Sequence, residues 1–309
     1  MSLLRSVYTV IRGGLIGTAE VMPGVSGGTI ALVTGVYETI ITSAGHFLSG
    51  VKALITDRAR ARMEFGRVNW KVILTLLAGM VPAVLLGARF LAPLVEDHPI
   101  PMLALFMGMT ATAIIVPITM KGTGWSAGQV LLGVAVAVGV FFLVGLPPGN
   151  LDPVAPLIFV AAAVAVCALV LPGTSGAFIL LTLGLYEPTL EALNSRDLTY
   201  LGIFVAGLIT GLALFVKGLQ WLLAHRREVT LVVLTGVVAG ALRALWPWQG
   251  DGRELLAPGE QVGLAVTVFL LGSALVLGLF LLGRKVDREH TALSRVHPDE
   301  EDVGSDPHT

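Results

Sequence analysis

Apolar residues fall along this chain in blocks of about twenty, separated by short polar or charged runs. The blocks at 72–95, 102–120, 130–146, 200–223, 230–246 and 262–283 approach the ~20 residues a helix needs to cross the hydrocarbon core of a bilayer, and predict six spans. Two further apolar regions, 7–48 and 153–193, are too long for one crossing, and each is cut by a Pro-Gly pair. Proline ends a helix at the residue before it, so each region is predicted to be a helical hairpin broken at Pro23 or at Pro172.

The two interruptions share a phrase. "PGVSGGTIALVTGVYE" begins at Pro23 and "PGTSGAFILLTLGLYE" at Pro172. A shift of 149 residues aligns Pro23, Gly24, Ser26, Gly27, Ile30, Leu32, Gly35, Tyr37 and Glu38 with Pro172, Gly173, Ser175, Gly176, Ile179, Leu181, Gly184, Tyr186 and Glu187. A shift of 128 then aligns Gly79 with Gly207, Arg89 with Lys217 and Gly108 with Gly236. The difference is the hydrophilic stretch "GVKALITDRARARMEFGRVNWK", present only in the first half. The chain reads as an internal duplication, with residues 1–150 as the first repeat and 151–283 as the second. The first repeat holds the hairpin 7–48, a basic loop 50–71 and the spans 72–95, 102–120 and 130–146. The second holds the hairpin 153–193 and the spans 200–223, 230–246 and 262–283. Residues 284–309 lose apolar periodicity, become charged and are predicted to be a disordered tail.

Composition agrees with a membrane solvent: 55% of residues are hydrophobic and 13% charged, with a mean hydropathy of +0.84, against about 25% charged in soluble domains. A net charge of -1 leaves no electrostatic footprint for nucleic acid. Cys167 is the single cysteine, which excludes an intrachain disulfide and a thiolate metal site. His290, His297 and His308 are irregularly spaced, and neither a metal nor a cofactor is predicted. The start "MSLLRSVYTVIRGGLIGTAEVMPG" lacks a long apolar core closed by small residues, so it is expected to be retained.

Basic residues set the expected orientation, because short cytoplasmic loops are rich in Lys and Arg. Placing Lys52, Arg58, Arg60, Arg62, Arg67 and Lys71 inside, and letting each hairpin return to its own side, puts Lys121, Arg226, Arg227, Arg284, Lys285 and Arg288 inside as well. Both termini are then cytoplasmic in a multi-pass protein of the cell membrane. Three spans per half is an odd number, so the halves have opposite orientation. The predicted fold is an all-α polytopic membrane protein with an inverted-topology repeat, each half a Pro-Gly-broken, re-entrant hairpin plus three transmembrane helices. Secondary transporters use this plan, with the binding site at broken helices near the midplane. Arms that cross fully give the same parity, so both hairpin forms stay open.

The repeated phrase has a chemistry. Glycine permits the sharp turn, Ser26 and Ser175 suit the N-cap of a second arm, and the small residues let a ligand or another backbone approach. Helix N-termini buried away from water present N–H groups and positive dipole ends that favour a phosphate or carboxylate. The candidate phosphate-binding residues are Gly24, Ser26, Gly27, Gly28, Thr29, Gly173, Thr174, Ser175, Gly176 and Arg243. The same turn also serves as a tight packing corner between helices. Arg89 and Lys217, at matching places in the halves, and Glu20, three residues before the first turn, are candidates for guiding or coupling charge. Snorkelling to the interface explains Arg89 and Lys217 each taken alone, and equally accounts for Arg243 beside Trp246 and Trp248. Glu38 and Glu187 are expected at an interface.

The phrases "EVMPGVSGGTIALVTGVYE", "LPGTSGAFILLTLGLYE" and "LTGVVAGALRALWPW" together resemble the bacterial and archaeal polyprenyl-phosphate transporter family, long catalogued as a domain of unknown function. The resemblance runs from about Arg12 to Gly283. It implies a flippase that returns undecaprenyl phosphate, or a related polyprenyl phosphate, from the outer to the cytoplasmic leaflet after cell-wall or surface-glycan synthesis. The family's signature falls on Pro23, Gly24, Ser26, Gly27, Gly28 and Thr29, on Pro172, Gly173, Ser175 and Gly176, and on Arg243 with Trp246. Ala177 replaces a frequent small hydroxyl residue, and Glu20 a frequent Asp or Asn. The implied partners are the lipid phosphate and the bilayer. Two alternatives remain. Undecaprenyl-diphosphate phosphatases carry a similar Pro-Gly-x-Ser-Arg-Ser segment, but Gly27 and Gly176 stand here in place of its arginine, and no acidic cluster supplies the equipment of phosphoryl transfer. No catalytic residue is therefore predicted. A carrier of a small soluble anion would use the same helix N-termini.

Overall fold

The computed structural model describes residues 3–21, 26–121, 124–147, 149, 151–172, 175–250 and 252–296, and among these there is no strand. The first half comprises α1 (Leu3–Glu20), α2 (Gly27–Val33), α3 (Tyr37–Thr56), α4 (Arg58–Gly66), α5 (Trp70–Asp97), α6 (Pro99–Ala113), α7 (Ile115–Lys121) and α8 (Ala127–Val144). The second comprises α9 (Ala155–Val170), α10 (Gly176–Leu183), α11 (Tyr186–Ser195), α12 (Leu198–His225), α13 (Arg227–Ala241), a 3-10 turn (Leu242–Leu245) and α14 (Val262–Val296).

Among the described residues six helical stretches are long and apolar enough to cross a membrane: Trp70–Leu91, Pro99–Met120, Ala127–Val144, Leu198–His225, Arg227–Leu245 and Val262–Leu281. They coincide with the six apolar blocks. Their large side chains face outward, Leu85, Phe90, Leu131, Phe142, Leu214 and Leu271 among them. In water this surface would be a severe liability, whereas lipid solvates it.

Where helices touch, the residues are small. α1 packs along α5 and α9 along α12, while α6 pairs with α14 and α8 with α13. A Cβ on Gly79 would overlap the Val10 carbonyl of α1, and one on Gly207 would overlap the Phe159 carbonyl of α9. Val10 and Phe159 are themselves related by the shift of 149, so one close contact is written twice. Gly108 against the Phe269 carbonyl and Gly236 against the Gly133 carbonyl repeat the theme in the other two helix pairs. Close backbone approach is how helices associate in lipid, where apolar burial gives no net drive. Caps repeat too: the Asn69 side chain accepts from Val72 N–H at the start of α5, and Asp197 from Thr199 and Tyr200 N–H at the start of α12.

Three details differ from the sequence expectation. Each second arm is broken again, at Gly35 and at Gly184, both with φ of +75°. Glycine alone takes that left-handed conformation without a Cβ penalty. α10 and α11 consequently meet at 102°, and Tyr37 and Tyr186 open new helices inside the predicted second arms. The basic stretch 50–71 is not a plain loop, because α3 runs on to Thr56 and α4 follows, capped by the Asp57 side chain. α14 continues past Gly283 to Val296, where a disordered tail is expected. Strong helix formers such as Ala292, Leu293 and Arg295 let a nucleated helix propagate. His297 and His308 lie outside the described residues.

Candidate functional site

The first break is built around Ser26, which is 2% exposed and extended, with φ -111° and ψ 127°. Its Oγ accepts from the Gly28 N–H at 3.1 Å, capping α2, and donates to the Leu171 carbonyl at 3.0 Å. Leu171 follows α9 at the start of the second break. The preceding carbonyl, Val170, accepts from the Tyr37 hydroxyl at 3.2 Å. A Cβ on Gly28 would stand 3.0 Å from the Val170 carbonyl oxygen and 3.4 Å from Pro172 N. The two breaks, far apart in sequence, therefore lie against one another, and glycine permits the approach.

The N-terminal donors of α2 are occupied. Gly27 N–H donates to the Glu20 carboxylate at the end of α1, and a Cβ on Gly27 would overlap that carboxylate. Gly28 N–H goes to Ser26 Oγ, and Thr29 N–H to the Ser26 carbonyl at 2.9 Å. Sequence pattern predicts free donors awaiting an anion; in the structure the chain's own carboxylate and hydroxyl fill the place. Thr29 is buried at 1% exposure.

The second break is not a copy of the first. Ser175 occupies the N-cap position of α10, with φ -124° and ψ 134°, but makes no side-chain cap hydrogen bond. Gly176 packs tightly, since its Cβ would meet the Ala165 carbonyl oxygen at 2.7 Å. Pro172 is buried. Pro23, Gly24, Gly173 and Thr174 lie outside the described residues.

The cations sit on several elements. Arg243, on the 3-10 turn, lies over the Phe141 ring at 4.6 Å and presses on Gly145 at the end of α8, its buried Nε without a hydrogen-bond partner. Arg253 reaches the same helix end from the loop before α14. It donates to the Leu146 carbonyl at 3.1 Å and the Thr182 hydroxyl at 2.9 Å, and sits 4.1 Å over the Phe178 ring of α10. Burial lowers the Arg253 pKa from its ordinary value. Lys217 instead donates to the Gly45 carbonyl and to Ser49 Oγ, joining α12 to α3, where Gln220 adds bonds to the Ile41 and Thr42 carbonyls. Its counterpart Arg89 is exposed, 6.0 Å over the Phe90 ring. Glu38 pairs with Arg227 at 2.9 Å, both half-exposed, and Glu187 is exposed. Among the described residues no group of three His, Cys, Asp or Glu is arranged to hold a metal ion.

A family model described as VCA0040-like, undecaprenyl phosphate translocase-like, matches residues 16–261. The chain belongs to this family. It is 34% identical over 265 residues to a polyprenyl-phosphate transporter of Vibrio cholerae, covering 84% of each chain. A polyprenyl-phosphate transporter of Staphylococcus aureus is 28% identical over 261 residues, covering 77% of this chain and 85% of the relative. No solved structure matches.

The stretch common to this translocase-like family contains both breaks, the 3-10 turn and the loop that carries Arg253. Sequence reasoning misses Arg253 because it sits in the polar segment "QGDGRELLAPGEQ", where a charge needs no explanation. One signal was available: Trp246 and Trp248 stand just before the segment, and in the fold their indoles donate to the Leu256 and Glu260 carbonyls, closing the loop on itself. The second breaks at Gly35 and Gly184 were also readable, since both glycines align in the repeat.

Proposed function

We propose that this protein is a polyprenyl-phosphate translocase that carries undecaprenyl phosphate, or a related lipid phosphate, from the outer to the cytoplasmic leaflet, without catalysing a covalent step. The function named for both relatives and for the family supports the substrate class. The matched packing of α1 on α5 and α9 on α12, and the exchanged pairs α6 with α14 and α8 with α13, support an inverted repeat in a cell membrane.

The observation that carries the mechanism is the Ser26 to Leu171 hydrogen bond, which joins the two breaks at one point. Around it, Glu20 occupies the anion position at the start of α2. In the proposed cycle the lipid phosphate exchanges with the Glu20 carboxylate and takes up donors of Gly27 and Gly28, with Thr29, Ser175 and Gly176 close to the same junction. The isoprenoid tail stays in lipid and enters sideways. Gly24, Gly173 and Thr174 remain candidates for the same site from the sequence alone. Arg243 attracts the head group at one face, and Arg89 and Lys217 add positive potential along the route.

The test is transfer of a fluorescent polyprenyl phosphate in proteoliposomes. Transfer by the native chain, lost in Ser26→Ala/Ser175→Ala and reduced in Arg243→Gln, is the expected result. Inhibition by inorganic phosphate at the same concentration as a short-chain polyprenyl phosphate would instead assign a small-anion carrier.

A further inference from the structure

The connection from α3 to α5 is longer than a duplicated fold requires. In the second half Arg196 and Asp197 alone join α11 to α12, whereas the first half inserts the last turns of α3, α4 and the link to α5. The insertion is basic: Lys52, Arg58, Arg60, Arg62, Arg67 and Lys71 face only Asp57 and Glu64 in residues 51–71.

Both acids are committed within the protein. Asp57 Oδ1 accepts from the Ala59 and Arg60 N–H groups at 2.9 and 3.1 Å. Glu64 points toward α3 and pairs with His46 at 2.8 Å. On the same side Phe65 packs on Gly50, Ala61 is 1% exposed, and the Trp70 indole donates to the Phe65 carbonyl at 2.8 Å. α4 is thereby fixed with one face on the protein.

Arg58, Arg60 and Arg62, spread around the rest of α4, and Arg67 at its C-cap are all exposed. Arg58 and Arg62 stand one turn apart and, with Ala59 and Met63, line a shallow open depression. Exposed apolar side chains accompany them on α4 and its neighbours: Met63 is 61% exposed, Leu54 53%, Phe47 43% and Trp70 41%. Phe47 stacks edge-on with both Phe65 and Trp70. Arginines accompanied by exposed aromatic and aliphatic side chains, just before the apolar helix α5, which is long enough to cross a membrane, match the boundary between headgroups and acyl chains. A soluble acidic partner or free phosphate would satisfy the charges but leave these apolar side chains in water.

We propose that α4 is an interfacial platform that binds anionic phospholipid headgroups of the leaflet it meets. Arg58 and Arg62 clasp a phosphodiester, Arg60 and Arg67 add attraction, and Met63, Phe47 and Trp70 enter the acyl boundary. The platform is separate from the paired breaks and does not depend on the transported substrate.

The full-length protein, purified and delipidated in detergent, is titrated with phosphatidylglycerol or phosphatidylcholine, and lipid-bound species are counted by native mass spectrometry. The expected result is a phosphatidylglycerol preference of about tenfold or more, as several Arg residues at an anionic surface provide, falling steeply between 0.1 and 1 M salt as screening requires, ~10 Å to ~3 Å in Debye length. Arg58→Gln/Arg60→Gln/Arg62→Gln/Arg67→Gln should bind the two lipids about equally, and the corresponding quadruple Lys variant should keep most of the preference. Equal binding of both lipids by the native protein, or a preference unmoved by salt, overturns the proposal even if the Gln variant fails to fold. Displacement of phosphatidylglycerol by equimolar inorganic phosphate, or retention of polyprenyl phosphate alone at these arginines, also overturns it, the latter assigning a substrate port.

Discussion

The Ser26 hydroxyl donates to the Leu171 carbonyl at 3.0 Å across 145 residues of chain, while accepting from Gly28 N–H. One side chain thus caps α2 and ties the two breaks together. Ser26→Ala should cost about 1–2 kcal/mol through the lost cap and the orphaned groups. Ser175→Ala, whose serine makes no cap bond, should cost less than half of that. Thermal unfolding of the two variants in one detergent checks the asymmetry; equal losses would contradict it.

Close backbone contact predicts a matched pair of defects. A methyl on Gly79 or on Gly207 meets a carbonyl of the packed helix rather than a movable side chain, so Gly79→Ala and Gly207→Ala must part α1 from α5 and α9 from α12. Each is expected to destabilise by about 1–3 kcal/mol, as overpacking does. Exposed glycines such as Gly202 and Gly218, with open space around them, should accept Ala without loss.

Gly35 isolates backbone strain from packing. Its φ is +75° and a Cβ there would meet nothing within 4 Å, so Gly35→Ala should cost only the left-handed penalty of about 1–2 kcal/mol. Gly35→Asn, which tolerates that conformation better, should recover part of it. A full loss in both variants, read by unfolding, would show that something other than φ is at stake.

Arg253 holds the loop before α14 to the end of α8 and to α10 through Leu146, Thr182 and Phe178. Its own φ of +63° makes Asn a suitable replacement. Arg253→Asn should speed amide exchange in residues 246–261 and slow lipid-phosphate transfer severalfold. Unchanged exchange would remove the loop-holding role.

The His46–Glu64 pair predicts an acid-sensitive joint under α4. The hydrogen bond from His46, aided by its charge and that of Arg67 and Lys217, holds the Glu64 carboxyl below its ordinary 4.5. A depressed carboxylate stabilises the fold above that ordinary value and loses the contribution as pH falls through the lower one. For a partly exposed pair the effect is at most about 1 kcal/mol. Exchange in α4 should accelerate as pH drops below about 4.5, and Glu64→Gln should abolish the step.

The six apolar stretches are legible because crossing a membrane demands a continuous run of one solvent preference, and any charge within it is conspicuous. The Pro-Gly breaks are legible for the opposite reason, since Pro23 and Pro172 interrupt such runs. What pattern reading gets wrong is the state of the donors. That Glu20 would fold onto Gly27, and that Ser26 would find Leu171 rather than serve its own helix alone, depends on where α1 and α9 lie.

Local chemistry along the chain, apolar length, helix breakers and caps, is sufficient to specify the helices and the repeat of Gly35 with Gly184, because each depends on neighbours a few residues away. The junction of the two breaks, the bonds that draw Lys217 onto α3, the meeting of Arg243 and Arg253 at one end of α8, and the docking of α4 that leaves its arginines exposed are decided by packing between distant helices. Glycine contacts set those helix positions, and in lipid it is the closeness of backbones, with no pattern of apolar residues to announce it, that selects one arrangement.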